Sequence, residues 1–210
     1  MPDTKVDSLR IVDGYRLEKP RRDVLMPGGV LRDRQGRTRQ LPRYFYEVAS
    51  WDAALDQELA PHFHMWEFIH TDVREAAAVR FFPRHVPCAV VLTAALLERF
   101  RDVVGEPVRI SANGGYRSPQ HELTSHASTH CWASAVNIYR VGDEYLDTRD
   151  RIERYASIAR DVLPGAWIRP VGEDRGFSDD HLHIDFGYVV AVPHDAPGDP
   201  YNPKLEGDPL

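Results

Sequence analysis

A short run near the C-terminal end, Asp179–Phe186 (DDHLHIDF), combines chemically capable side chains with the alternation of a β-strand. This alternation predicts that His181, His183 and Asp185 point to one face and that the intervening apolar residues point to the other. Because the apolar face belongs against a core, the two histidines and the aspartate should line a cavity or an open surface. Two histidines at positions i and i+2 of a strand can place both rings near one metal ion.

A third ligand would have to come from elsewhere in the chain, and the stretch 111–137 (SANGGYRSPQHELTSHASTHCWASAVN) is the best source. His130 is the best candidate by its local context. It lies just before a second predicted strand, residues 134–141, in which Ala135, Asn137 and Tyr139 share one face. His126, four residues earlier, could substitute as a ligand on spacing alone, but a surface histidine in a polar loop is the favoured interpretation.

Four runs in this order resemble the metal-dependent D-alanyl-D-alanine peptidases and the related phage endolysins and Hedgehog-type domains. They are LAPHFHMWEF at 59–68, NGGYRS at 113–118, STHCWASAVN at 128–137 and DHLH at 180–183. The family carries S-G-Y-R-S, then S-x-H-x-x-G-x-A-x-D, then a late D/E-x-x-H or H-x-H. The resemblance covers roughly residues 59–190 and implies the fold of that family.

The resemblance implies a zinc ion held by His130, His183 and the residue at the position of the family aspartate, which here is Asn137. The family glycine is likewise replaced, by Ala133. An amide oxygen is a neutral and weaker zinc ligand than a carboxylate. The substitution also leaves the site about one charge more positive, which changes the acidity of any bound water. Asn137 is therefore the most informative single residue for activity.

The resemblance also assigns roles around the metal. Asp180 stands where the family acid deprotonates the zinc-bound water and returns a proton to the leaving amine. Arg117 would bind the substrate carboxylate or steady the oxyanion, and His181 would stabilise the oxyanion or become a ligand. Ser128 and Tyr116 are candidate substrate-binding residues.

Each of these assignments has a structural alternative. Arg117 could form a salt bridge to Asp179 or Glu122, and Ser128 could simply close its loop. A buried asparagine such as Asn137 is more often a hydrogen-bond partner of its neighbours than a metal ligand.

Three functions follow as hypotheses. The first is a zinc-dependent peptidase that cleaves a small peptide or a cell-wall fragment through a metal-bound water. The second is a non-catalytic relative, in which Asn137 marks a weakened metal site and the domain binds a partner. The third is a repurposed metalloenzyme with a three-histidine site (His130, His181 and His183) for copper, iron or zinc in a tailoring reaction. His183 and Asp185 also match the H-x-D half of an iron oxygenase triad, which we rank low.

Composition limits the remaining possibilities. The chain has 210 residues, 42% of them hydrophobic, which predicts one domain with a full core. A net charge of −6 argues against a general nucleic-acid binder. No apolar run approaches the roughly 20 residues that span a bilayer, and the N-terminus lacks the apolar region of a signal peptide. With Cys88 and Cys131 predicted to be reduced, we expect a cytoplasmic protein without a membrane partner.

The predicted fold class is α+β, with a small, largely antiparallel sheet and helices on one side. We divide the chain into a basic N-terminal arm (1–50), the peptidase-like domain (51–195) and an extended C-terminal tail (196–210). The arm should form a hairpin around Gln35-Gly36. Ser50 is a predicted helix N-cap, and Pro87 should open the strongest helix, which Gly105 should end.

Overall fold

The computed structural model describes residues 9–172 and 180–197 of the chain. Asp179 and all but two residues of the predicted tail lie outside this part. The described chain is a mixture of helices and small antiparallel sheets, in agreement with the predicted α+β class. None of its helices is long and apolar enough to cross a membrane.

The described residues form six α-helices. They are α1 (Lys19–Leu25), α2 (Trp51–Asp56), α3 (Met65–Ile69), α4 (Ala77–Arg80), α5 (Val90–Val104) and α6 (Arg149–Val162). The strands are β1 (Arg10–Asp13), β2 (Val30–Arg32), β3 (Thr38–Gln40), β4 (Tyr44–Val48), β5 (Glu58–Ala60), β6 (Phe63–His64), β7 (Arg84–Pro87), β8 (Val108–Ile110), β9 (Ala135–Val141), β10 (Glu144–Tyr145), β11 (Trp167–Ile168) and β12 (Leu182–Asp185).

The largest sheet is organised around β9, which pairs with β8, β10 and β12, while β11 extends the sheet beyond β12. All of these pairings are antiparallel. Leu182 and Ile184 of β12 are fully buried, as the alternation predicts. The strand ends at Asp185, whose carboxylate accepts a hydrogen bond of 2.6 Å from the backbone N–H of Gly187. Gly187 turns the chain there with a φ of +84°.

The two long helices pack together, and α6 also packs against β11 and β12. The predicted start of α5 is wrong: Pro87 is the last residue of β7, where it pairs with Phe45, and the helix begins at Val90. Its predicted end is correct, because Gly105 adopts a left-handed conformation at the C-cap. Ser50 caps α2 as predicted, accepting a 3.1 Å hydrogen bond from the N–H of Ala53.

The N-terminal residues supply β1 and β4 to a three-stranded sheet that β7 completes. Between these two strands, β2 and β3 form a hairpin whose turn contains Gln35 and Gly36. The buried carboxylate of Asp33 closes the turn by accepting hydrogen bonds from Arg37 and Arg39. The boundary at residue 50 remains a prediction.

The Gly114-Gly115 pair has a steric explanation. A Cβ on Gly115 would lie 2.3 Å from the carbonyl oxygen of Phe68 in α3, and one on Gly114 would lie 2.4 Å from the Ser111 hydroxyl. The loop is pinned there by a 2.7 Å hydrogen bond from the Tyr116 N–H to the Phe68 carbonyl. Only glycine permits so close a backbone contact.

We expect Gly115→Ala to destabilise the fold by about 1–3 kcal/mol, because the added methyl overpacks a rigid backbone contact. The free energy of unfolding in urea measures this. Gly36→Asn is the matched control, since a Cβ there meets nothing within 4 Å and asparagine tolerates the left-handed φ of +75°. Unfolding energies of the two variants within about 0.5 kcal/mol of each other would contradict the steric explanation.

Candidate functional site

His130 and His183 lie side by side in the interior, with their ring centroids 5.3 Å apart. His130 sits in the short 3-10 turn Thr129–Trp132 that precedes β9. Its Nδ1–H donates a 2.7 Å hydrogen bond to the carbonyl oxygen of Gly115. The close contact between Gly115 and α3 thus fixes the orientation of the His130 ring.

His183 and Asn137 face each other as direct partners of β12 and β9. The Nδ1–H of His183 donates a 2.8 Å hydrogen bond to Oδ1 of Asn137. On the other side of the ring, Nε2 of His183 lies 3.9 Å from Oδ2 of Asp185. This carboxylate oxygen accepts a 2.8 Å hydrogen bond from the Thr129 hydroxyl. In this arrangement the Asn137 side chain orients His183. Its role as a metal ligand stays a prediction.

Both imidazoles are held neutral. Burial is the main cause that lowers the pKa of His130 well below its usual value, and the charge of Arg117 lowers it further. Burial also lowers the pKa of His183, although Asp185 opposes this. Since each Nδ1 carries the proton that it donates, each Nε2 retains a lone pair. A neutral imidazole with its second nitrogen tied to an oxygen is the usual state of a histidine that binds a metal.

These donors fit a divalent metal such as zinc at His130 and His183, with the neutral Asn137 beside them. Without a carboxylate in the set, such a metal would be held weakly. Among the described residues, the only group of three or more His, Cys, Asp or Glu with ligand atoms within 4.8 Å of one another is on the surface, at His62, Glu98 and Asp102. The alternative set of His130, His181 and His183 is therefore not assembled in advance.

Arg117 is buried beside this pair and carries no ion pair within residues 9–172 and 180–197. Its Nε donates to the carbonyl oxygen of Asn113, and its backbone N–H donates to that of His130 at 3.3 Å. Burial, followed by the charges of Arg74 and Arg169, lowers its pKa to about 10. The alternative salt bridge to Glu122 is not formed, and Asp179, the other proposed partner, lies outside the described residues. The terminal guanidinium nitrogens remain available for an anion.

The loop that carries Arg117 is held by buried polar groups that sequence reasoning missed. The Glu75 carboxylate accepts from the backbone N–H (3.0 Å) and the hydroxyl (2.5 Å) of Ser118. Asn113, in a left-handed conformation, accepts a 2.6 Å hydrogen bond from the Thr71 hydroxyl. A buried carboxylate that accepts hydrogen bonds from a loop distant in sequence produces no periodic pattern in the sequence, so it cannot be recognised there.

Asp180 and His181 lie at the edge of the site. Nδ1–H of His181 donates to Asp180 at 2.6 Å, and a guanidinium N–H of Arg169 donates to Nε2 of His181 at 2.8 Å. Burial lowers the pKa of His181. Asp180 is exposed and lines a cleft of about 520 Å³, whose lining residues include neither His130 nor His183.

The two predicted substrate-binding residues differ in position. Tyr116 is buried and lines an internal cavity of about 20 Å³ with Glu75 and Arg84, which is too small for a substrate. Its side chain therefore packs in the interior, which does not favour a substrate-binding role. Ser128 is half-buried at the start of the His130 turn, and its side chain makes no capping hydrogen bond there.

No protein-family model, curated protein or solved structure matches this chain. The family resemblance therefore rests on the residue pattern, and the assignment of function rests on the geometry described above.

We predict that the metal-free protein loses stability as the pH falls below about 6.5. Below that pH the histidines of the unfolded chain bind protons, whereas buried His130 and His183 stay neutral because burial lowers their pKa values. The loss continues down to the lowered folded-state pKa values, at up to about 1.4 kcal/mol per pH unit for each such histidine. Urea unfolding in a chelator between pH 7.5 and 5.5 measures it. His130→Gln should show a shallower pH dependence, whereas exposed His194→Gln should match the wild type. Equal slopes for all three proteins would show that His130 is not held neutral.

Proposed function

We propose that this protein is a metal-dependent hydrolase that cleaves the amide bond of a small peptide or peptidoglycan fragment, with a fold related to the D-alanyl-D-alanine peptidases. The observation that supports this most directly is the pairing of two buried, neutral imidazoles from distant parts of the chain, 5.3 Å apart. Each of these imidazoles donates one N–H to an oxygen and keeps its other nitrogen free, as the histidines of a metal site do.

In this proposal His130 and His183 hold zinc and Asn137 orients His183. Asn137 would join the ligands only by giving up its hydrogen bond to Nδ1 of His183. Zinc, when bound, supplies Lewis acidity that polarises a carbonyl and makes water more acidic. The guanidinium of Arg117 binds the substrate carboxylate through its free nitrogens and so places the scissile amide. We assign to Asp180, which lines a cleft and is hydrogen-bonded to His181, the role of accepting a proton and returning it to the leaving amine. His181 holds the Asp180 carboxylate through their 2.6 Å hydrogen bond.

A second candidate function is supported by Asn137 itself. Its amide oxygen accepts a hydrogen bond from His183, so the pair is satisfied without any ion. A relative that has lost catalysis and binds an anionic partner through Arg117 would keep this arrangement. Metal affinity and catalysis separate the two candidates.

We expect Asn137→Asp to strengthen zinc binding at least tenfold, since a carboxylate adds a charge beside His183 and a better ligand oxygen. Competition with a chromophoric zinc chelator measures the affinity. Gln35→Glu adds the same charge on the distant hairpin and should leave the affinity unchanged. His183→Ala should abolish zinc binding at this site. If Asn137→Asp binds zinc no better than the wild type, Asn137 is not adjacent to the metal.

The activity test uses the zinc-loaded protein with D-alanyl-D-alanine and with L-alanyl-L-alanine, and detects free alanine. The Asp180→Asn variant should lose about 10²–10⁴-fold in kcat with unchanged zinc affinity, because it removes the proton acceptor but no ligand. The exposed Asp143→Asn is the matched control and should retain full activity. Zinc binding without release of alanine from either dipeptide would favour the binding-domain candidate instead.

A further inference from the structure

The cleft beside Asp180 has properties that catalysis at the histidines does not explain. Its volume is about 520 Å³, large enough for a small organic ligand. Four aromatic rings line it: those of Trp66, His70, Tyr139 and Tyr145. Trp66 is in α3, His70 follows α3 directly, and Tyr139 and Tyr145 are in β9 and β10. The cleft is therefore lined by rings from different elements of the fold. A flat, apolar group would bury its surface between them.

The acidic groups of the cleft already have partners. Glu67 accepts a 2.9 Å hydrogen bond from the backbone N–H of His64. Asp147 accepts from Arg151 at 2.6 Å, and Asp180 accepts from His181 at 2.6 Å. None of the three carboxylates therefore requires a ligand cation.

The guanidinium in the cleft is different. Arg109 lines it, and among residues 9–172 and 180–197 the Arg109 side chain forms neither a hydrogen bond nor an ion pair. The charge of Glu67 acts on it without a hydrogen bond. Arg109 also stands directly opposite Arg140 across the β8–β9 ladder, an arrangement of like charges that costs stability.

Arg140 increases this positive charge. Its guanidinium carbon lies 5.5 Å from the centre of the Tyr145 ring, and its Nε is buried without a hydrogen-bond partner in the described structure. Two adjacent arginines with unused donors, next to a cleft of aromatic rings, form a site for a negatively charged group. Because the carboxylates of the cleft are hydrogen-bonded and the arginine donors are not, a ligand that binds here would supply hydrogen-bond acceptors.

We infer that this cleft is a binding site for a ring-bearing anion, in which the flat group lies among Trp66, Tyr139 and Tyr145 and the carboxylate is bound by Arg109. The class of ligand is an aromatic carboxylate, such as an aromatic amino acid with its free carboxyl group or a peptide that ends in one. This binding does not depend on hydrolysis at the histidines. Asp180, the proposed proton acceptor, also lines this cleft.

The test is the affinity for two matched probes, N-acetyl-L-tyrosine and its neutral analogue N-acetyl-L-tyrosinamide, which differ only in the carboxylate. Titration by calorimetry or by ligand-observed NMR, with the full-length protein in a chelator, keeps metal and catalysis out of the measurement. The wild type should bind the acid at least tenfold more tightly than the amide, and the preference should fall as salt is added.

In Arg109→Gln the affinity for the acid should fall to the affinity for the amide, while Arg109→Lys should retain part of the preference for the acid. Tyr145→Ala should weaken both probes to a similar extent, and because Tyr145 is half exposed this variant should remain folded. Arg160→Gln, which removes an equal charge from the exposed face of α6, should bind like the wild type.

Three results would overturn the inference. They are equal wild-type affinity for the two probes, an undiminished preference in Arg109→Gln, and a preference lost in Arg117→Gln but not in Arg109→Gln. The last would place the carboxylate at the histidine site. Failure of the dipeptides to be hydrolysed would leave this result untouched, so the two proposals can fail separately.

Discussion

The hydrogen bond between His183 and Asn137 is the constraint on which the site depends, because it joins the register of two strands to the orientation of a ring. The pairing of β12 with β9 sets the two residues opposite each other. A shift of one residue would turn His183 toward the core and bring Leu182 or Ile184 to the site. The burial of Leu182 and Ile184 fixes the register of the strand and therefore holds the His183 imidazole in place.

The second feature that shapes the site is an excess of buried positive charge. Arg117 has no carboxylate partner in the described residues, and its charge lowers the pKa of His130 further after burial has done so. An aspartate at position 137 would have offset part of this charge, whereas the asparagine offsets none of it. The unpaired positive charge of Arg117 thus favours the neutral form of the imidazoles and also favours the binding of an anion. This is the combination that a carboxylate-bearing substrate would need, and it is also what a catalytically inactive binder of anions would keep.

The parts of the molecule that follow from local pattern could be predicted from sequence. The alternation of DHLHIDF predicted that Leu182 and Ile184 lie in the core and that His183 lies on the opposite face of the strand, and the structure pairs that position with Asn137. The end of α5 at Gly105 follows from the left-handed conformation that glycine adopts easily.

Other parts depend on contacts between distant segments, and local pattern does not encode them. Pro87 was predicted to open a helix but pairs in a strand, because β4 lies beside it in the fold. The bond from Glu75 to Ser118 joins residues forty-three positions apart. The pairing of β8 with β9 places Arg109 opposite Arg140, just before the ladder shifts register at a bulge. Each of these contacts joins segments that are distant in sequence, so only the three-dimensional structure reveals it.

The hairpin of β2 and β3 bears on how the protein could be divided or recombined. Trp132, two residues after His130, donates its indole N–H to the carbonyl oxygen of Gln40 at 2.9 Å, and Leu41 packs in the same small apolar cluster as Trp132 and Cys131. The wall behind the histidine turn is thus built from the first quarter of the chain. A fragment cut at residue 50 would remove the contacts of Gln40 and Leu41 with Trp132, the largest fully buried side chain among the described residues, so any transplant of the site must carry the hairpin with it.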